Sequence, residues 1–258
     1  MVMFQKKFAS RTKNFRRKGP QKKPVHPIQA AAKWRPHFSG SYDWRDHSGQ
    51  ATAVENMPDG FIIIDDMNIS GYPGRRLPQG LMVGQWAQLS GSGVACLPDR
   101  MEVFGSFMMS DAEHIEHVGS GVKFHEYAKL QNLPKLQRIG DGFSVRKWLE
   151  LRDCPALEYL PDNIFVGNVL RIEGCQNLRK LPKGMTVGCL EIINCPNIEA
   201  IPDDIEFVGT GLLRDKVRVK DCGNPDLMIP ETYFERDLVR YLPHPHPAAP
   251  DLSGPTPL

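Results

Sequence analysis

No acidic residue occurs before Asp43, although eleven Lys or Arg do. The remaining residues carry 21 basic against 30 acidic side chains, a balance of −9 that the overall net charge of +2 conceals. A basic arm is thus joined to an acidic body, and such arms usually seek nucleic acid or acidic protein surfaces. Long apolar runs are missing too. The longest, Phe61-Ile62-Ile63-Ile64, is far short of the ~20 residues that span a bilayer. The first 25 residues lack the apolar core of a secretory signal, so Sec export is not expected, and a virion or cytoplasmic location is. No Cys-x-x-Cys pair, nucleophile elbow or phosphate-binding Gly loop occurs, and Ser90-Gly91-Ser92-Gly93 lacks the Lys and helix of a phosphate cradle. These absences argue against an enzyme and imply no cofactor or metal. His114 and His117 read as loop histidines without a third ligand nearby. Six cysteines without a signal read as free thiols in a reducing compartment.

What the chain does have is a repeat. Leu149, Leu151, Cys154, Leu157, Leu160-Pro161, Ile164 and Val166 reappear about 20 residues later as Leu170, Ile172, Cys175, Leu178, Leu181-Pro182, Met185 and Val187. A third copy opens with Leu190, Ile192, Cys195, Ile198 and Ile201-Pro202. Earlier copies are anchored at Met57, Leu77, Leu97, Val118 and Ile139, each followed by apolar residues at +4 and +6. The anchors are spaced by 20 or 21 residues throughout. A ninth unit, Val217-Val219-Cys222 leading to Ile229-Pro230, follows a seven-residue insertion near Gly209 to Lys216. Each unit is too short to bury an apolar face alone and must stack on its neighbours.

The frame L-x-L-x-x-C-x-x-L-x-x-L-P resembles the leucine-rich repeat family, in the short form with a Leu-Pro pair after the strand. That resemblance implies a solenoid, mostly β, with one parallel sheet on a concave face and a binding rather than catalytic role. At 20–21 residues there is little room for a convex helix, so extended or 3₁₀ segments are expected there. At ~4.8 Å per rung, nine units make a rod roughly 40 Å long. Gly84, Gly167, Gly188 and Gly209, each following a Val, are expected to turn tight corners at positive φ.

Four segments follow. Residues 1–50 form a basic extended arm and 51–230 the solenoid. Thr232 to Glu235 reads as a capping box opening a helix over 231–242, with Phe234, Leu238 and Tyr241 on one face. Residues 243–258 are a Pro-rich tail without a core. Residues 40–56, around Trp44, are expected to cap the first unit.

Cys154, Cys175, Cys195 and Cys222 share one column with Ala112 and Leu133, which reads as a buried thiol ladder. Cys96 and Cys189 lie off it and are candidates for exposed thiols. Outward strand positions give the columns Lys129, Glu150, Arg171, Glu191, Arg218 and Gln131, Arg152, Glu173, Ile193, Lys220, in which opposite charges sit on neighbouring rungs. Asn68, Ser70, Ala87, Leu89 and Met108 are expected to face the same way, making Asn68, Ala87, Leu89 and Met108 the candidate partner patch. Gln88 falls at an inward position in this frame, a warning that the register slips there. In the arm, Lys6, Lys7, Arg11, Arg16, Arg17, Lys18, Lys22 and Lys23 are candidate anchors, with Phe4, Phe8 and Phe15 interleaved.

The expectation is a non-enzymatic structural or interaction protein: a repeat body tethered by its arm to the protein subunits of a large assembly. A viral or phage capsid decoration or cementing protein fits best. A nucleic-acid- or ribosome-associated adaptor is the first rival, and a secreted effector gripping a host protein the second.

Overall fold

The computed structural model describes residues 26–50, 53–209 and 216–242, with the backbone alone at 241–242. The chain winds as a parallel β-solenoid of about nine turns, and every strand pairing is parallel. The L-x-L segments form the ladder on which the candidate site lies. Its strands are β1 (Tyr42–Asp43), β2 (Met67–Asn68), β3 (Ala87–Gln88), β4 (Phe107–Ser110) and β5 (Tyr127–Gln131). It continues through β6 (Trp148–Arg152), β7 (Phe165–Glu173), β8 (Thr186–Ile193), β9 (Val217–Lys220) and β10 (Val239–Leu242). Residue pairs run in register from rung to rung, as Ala128 with Leu149, Leu149 with Leu170, and Leu170 with Leu190.

The other sides of each turn pair as well. The +4 to +6 segments make a second ladder, from His37–Phe38 through Ile62–Ile63 and Met82–Val83 to Glu206–Phe207. The anchors make a third, shorter one at Cys96–Leu97, His117–Val118 and Arg138–Ile139. The extended segments expected there therefore share backbone hydrogen bonds rather than lying as isolated coil. Inside, the repeat leucines, valines and isoleucines are buried in one continuous core. Each contributes roughly 1.5–3 kcal/mol by leaving water. In the middle turns Phe107 stacks on Phe124 at 4.3 Å, and Phe143 meets Phe124 edge-on at 5.7 Å.

The expected corner glycines have a different cause. Among Gly84, Gly167, Gly188 and Gly209, only Gly209 has a positive φ, 88°. At the other three, a β-carbon would collide with a backbone carbonyl of the preceding turn: Ile64 for Gly84, Arg146 for Gly167, Asn168 for Gly188. The glycines permit close backbone approach between turns. Left-handed turns occur elsewhere, in one column holding Gly80, Arg100, Gly121, Gly142 and Asn163, and another holding Gly91, Asp111, Asn132, Asp153 and Gly174.

Two boundaries differ from expectation. Residues 26–50 belong to the body, since His37–Phe38 and β1 form the first turn of the solenoid. Helix α1 (Pro27–Ala31) buries Ile28 beside Ala32 and Ile62, with Ile64, Met82 and Phe104 packed around them. Lone apolar residues without a period are held by outward apolar side chains that the periodic frame counts as surface. Helix α2 (Trp44–His47) covers the end, where Tyr42 stacks on His47 at 4.7 Å and the Trp44 indole donates to the Ser70 carbonyl at 2.8 Å.

At the other end, α3 spans only Glu231–Glu235, without a side-chain cap. Tyr233 rather than Phe234 is buried, its hydroxyl donating to the Pro202 carbonyl at 2.7 Å. Asp237 turns at φ 52°, and Val239–Leu242 becomes β10 instead of continuing the helix. The open edge of β9 offers ladder hydrogen bonds to this segment, and they outweigh a marginal five-residue helix.

Candidate docking face

The ladder β1–β10 presents rows of side chains outward, and two of them frame the candidate site. The row preceding the inward L-x-L positions holds Trp86, Ser106, Tyr127 and Trp148, with Tyr127 directly paired to Trp148. The next holds Asn68, Gln88, Met108, Lys129 and Glu150. Trp86, Ser106, Tyr127 and Trp148 of the first row and Met108, Lys129 and Glu150 of the second line a shallow cleft of about 270 Å³. Tyr127 is 50% and Trp148 38% exposed, high for aromatic side chains so close together. The Lys147 ammonium lies 5.6 Å from the Tyr127 ring centre and is also ion-paired to Glu126. That hydrogen bond to Glu126 pushes the Lys147 pKa above its usual value.

The partner patch read from sequence is half corrected. Met108 and Asn68 do face outward, Asn68 donating to the Asp43 carboxylate at 2.8 Å. Ala87 and Leu89 point inward and are fully buried. The pairing of Ala87 with Phe107 and of Gln88 with Met108 fixes this register. Every side chain of this segment therefore lies on the face opposite to the one expected. Trp86, Tyr127 and Trp148 were missed, although an aromatic immediately before the inward strand residue in three units is a column the sequence displays.

Beyond Glu150 the face is electrostatically closed. Glu173 pairs with Arg171 at 2.6 Å and with Arg152 at 3.5 Å. Glu191 pairs with Arg218 at 2.9 Å and with Arg171 at 4.0 Å. The cleft is thus an apolar strip beside a ladder of paired charges.

The thiols are placed as a column. Cys154, Cys175, Cys195 and Cys222 are buried and unbridged. Each sulfur lies near the carbonyl two residues before it and one in a preceding turn, as Cys195 with Ile193 at 3.3 Å and Ile172 at 3.8 Å. Hydrogen bonding along the column, chiefly with Cys154, and then burial push Cys175 up to about 12. Hydrogen bonding with Cys175 raises Cys195 likewise. Burial pushes Cys222 up to about 11. Cys189, expected exposed, is buried: β8 runs unbroken through the corner, turning the position before its inward strand residues inside. Cys96 is half-buried on the anchor ladder, and burial raises its thiol. Among the described residues, no group of His, Cys, Asp and Glu could hold a metal ion.

The arm candidates Lys6, Lys7, Arg11, Arg16, Arg17, Lys18, Lys22 and Lys23 lie outside the described residues. No helix among the described residues is long and apolar enough to cross a membrane. No family model matches the chain, and comparisons with curated proteins and with solved structures found no match.

Proposed function

We propose that the chain is a non-enzymatic interaction protein of the leucine-rich repeat kind, whose body docks a protein partner while its basic arm anchors it to a large assembly. The observation that carries the reading is the Trp86–Tyr127–Trp148 strip, with Tyr127 and Trp148 exposed and Trp86 half-buried, beside a ladder whose charges pair with one another. Aromatic side chains grouped around a desolvated pocket are what protein interfaces use as anchors. The arm supports the second half of the reading. Nine Lys or Arg and no acidic residue precede residue 26, where the chain joins the body through α1, on the side of the solenoid adjoining the aromatic strip. A basic tether and an apolar docking strip suit a decoration or cementing subunit on a viral or phage capsid. The arm would lie along neighbouring subunits and the strip would fix the body's orientation.

Co-sedimentation from cells that make the protein tests this. The intact chain should travel with a large particle, and the chain lacking residues 1–25 should remain at the top of the gradient. Normal occupancy after removal of the arm overturns the reading. The concentration of positive charge in the arm also favours a second reading, a nucleic-acid-bound adaptor. Salt-titrated binding to RNA and DNA separates the two, and no binding at about 50 mM salt eliminates the adaptor.

A further inference from the structure

We propose that the chain's own proline-rich tail, the segment following Leu242, docks into the Trp86–Trp148 cleft as an extended left-handed helix. This rests on reading the cleft as a docking site and adds what holds it in the free chain, before the partner takes it. Aromatic-lined shallow grooves recognise polyproline II segments because the ligand is already extended and loses little entropy on binding. Six of the sixteen residues from Pro243 to Leu258 are proline.

Geometry and charge favour this segment over the other end of the chain. The tail leaves from β10, the last rung of the ladder that carries the cleft. Four rungs separate β10 from β6, where Trp148 stands, about 19 Å at ~4.8 Å each. Sixteen residues at ~3.1 Å span about 50 Å, enough to reach Trp148 and continue three rungs to Trp86. The path crosses the Glu173 and Glu191 pairs, in which Arg152, Arg171 and Arg218 leave a net charge of +1 over the two carboxylates, and the tail's one acidic residue is Asp251. Lys129 and Glu150 leave the cleft rim without net charge, so it offers nothing to the nine cations of the arm.

Photo-crosslinking in the purified full-length chain tests the proposal, with p-benzoylphenylalanine replacing Ser106, which lines the cleft, and separately Gln88, its outward neighbour. Trypsin should release residues 101–123 (or 77–100 for the second variant) joined to residues 241–258, at monomer mass and in a yield unaffected by serial dilution. Replacing Pro245, Pro247 and Pro250 by Ala should reduce that yield several-fold. A crosslink to a second copy, a crosslink elsewhere in the chain, or none to the tail from either position overturns the proposal, as does a yield indifferent to the prolines. In cells the partner of the proposed docking function displaces the tail, so capture of another protein at the cleft there, beside the tail crosslink in the purified chain, fits both readings; absence of that capture with the tail crosslink intact overturns the docking function alone. Loss of particle binding on arm removal is read separately.

Discussion

Gly84 packs its α-carbon so closely on Ile64 that a β-carbon there would overlap the Ile64 carbonyl oxygen. The same relation recurs one turn later between Gly105 and Gln85, and further on between Gly167 and Arg146. This corner sets the distance between successive turns. Gly84→Ala should therefore destabilise the protein by about 3 kcal/mol, at the upper end of overpacking costs, because backbone rather than a movable side chain is in the way. The urea midpoint measures it, and a shift within error of zero would mean that the corner is soft.

Arg100 occupies a left-handed position, φ 56°, where the equivalent residues Gly80, Gly121 and Gly142 are glycine. A side chain in that conformation costs roughly 1–2 kcal/mol, partly offset by the greater unfolded entropy of glycine. Arg100→Gly is expected to stabilise by about 0.5–1 kcal/mol, read as a higher thermal midpoint.

These corners and turns mark where the sequence was legible and where it was not. The period, the inward columns and the cysteine ladder follow from spacing alone, because a stacked repeat forces equivalent residues into equivalent places. The Arg171–Glu191–Arg218 pairing was readable for the same reason. The register of Ala87 and Leu89 was not, since Ala87 is small and Gln88 and Leu89 alternate weakly; only the Phe107 rung beside them decides which face is inside. Nor could spacing distinguish a glycine needed for its φ from one needed for its lack of a side chain. Ile28 found a site because Ile62 and Met82, outward in the frame, form a surface only another apolar segment could cover.

The thiol column predicts alkaline sensitivity. Native Cys175 and Cys222 hold their protons to about 12 and about 11, whereas unfolded thiols ionise near ~8.5. The neutral form is thus favoured by folding. The stabilisation is complete below pH ~8.5 and is lost as pH rises through that value toward the native ones. Tyr42, Tyr72 and Tyr233, raised chiefly by burial, act in the same direction. Urea midpoints should be flat up to about pH 8.5 and fall steadily above it, and Cys175→Ala, which restores the residue type of Ala112, should make that fall shallower. In native protein, alkylation should reach Cys96 well before the column.

Glu191 holds both Arg171 and Arg218. Glu191→Gln should cost about 0.5–1 kcal/mol at low salt and less at high salt, because both guanidinium groups are about one-third exposed and their pairs are screened. Paired denaturation curves at two salt concentrations check this; a salt-independent loss would point to packing instead.

The most direct test of the docking claim is the affinity of the double variant Tyr127→Ser/Trp148→Ser for the particle that the intact chain sediments with. Both side chains are partly in water, so unfolding midpoints should stay close to those of the intact chain. Loss of two aromatic anchors should weaken binding at least ~10-fold. Unchanged affinity in a normally folded double variant would contradict the account.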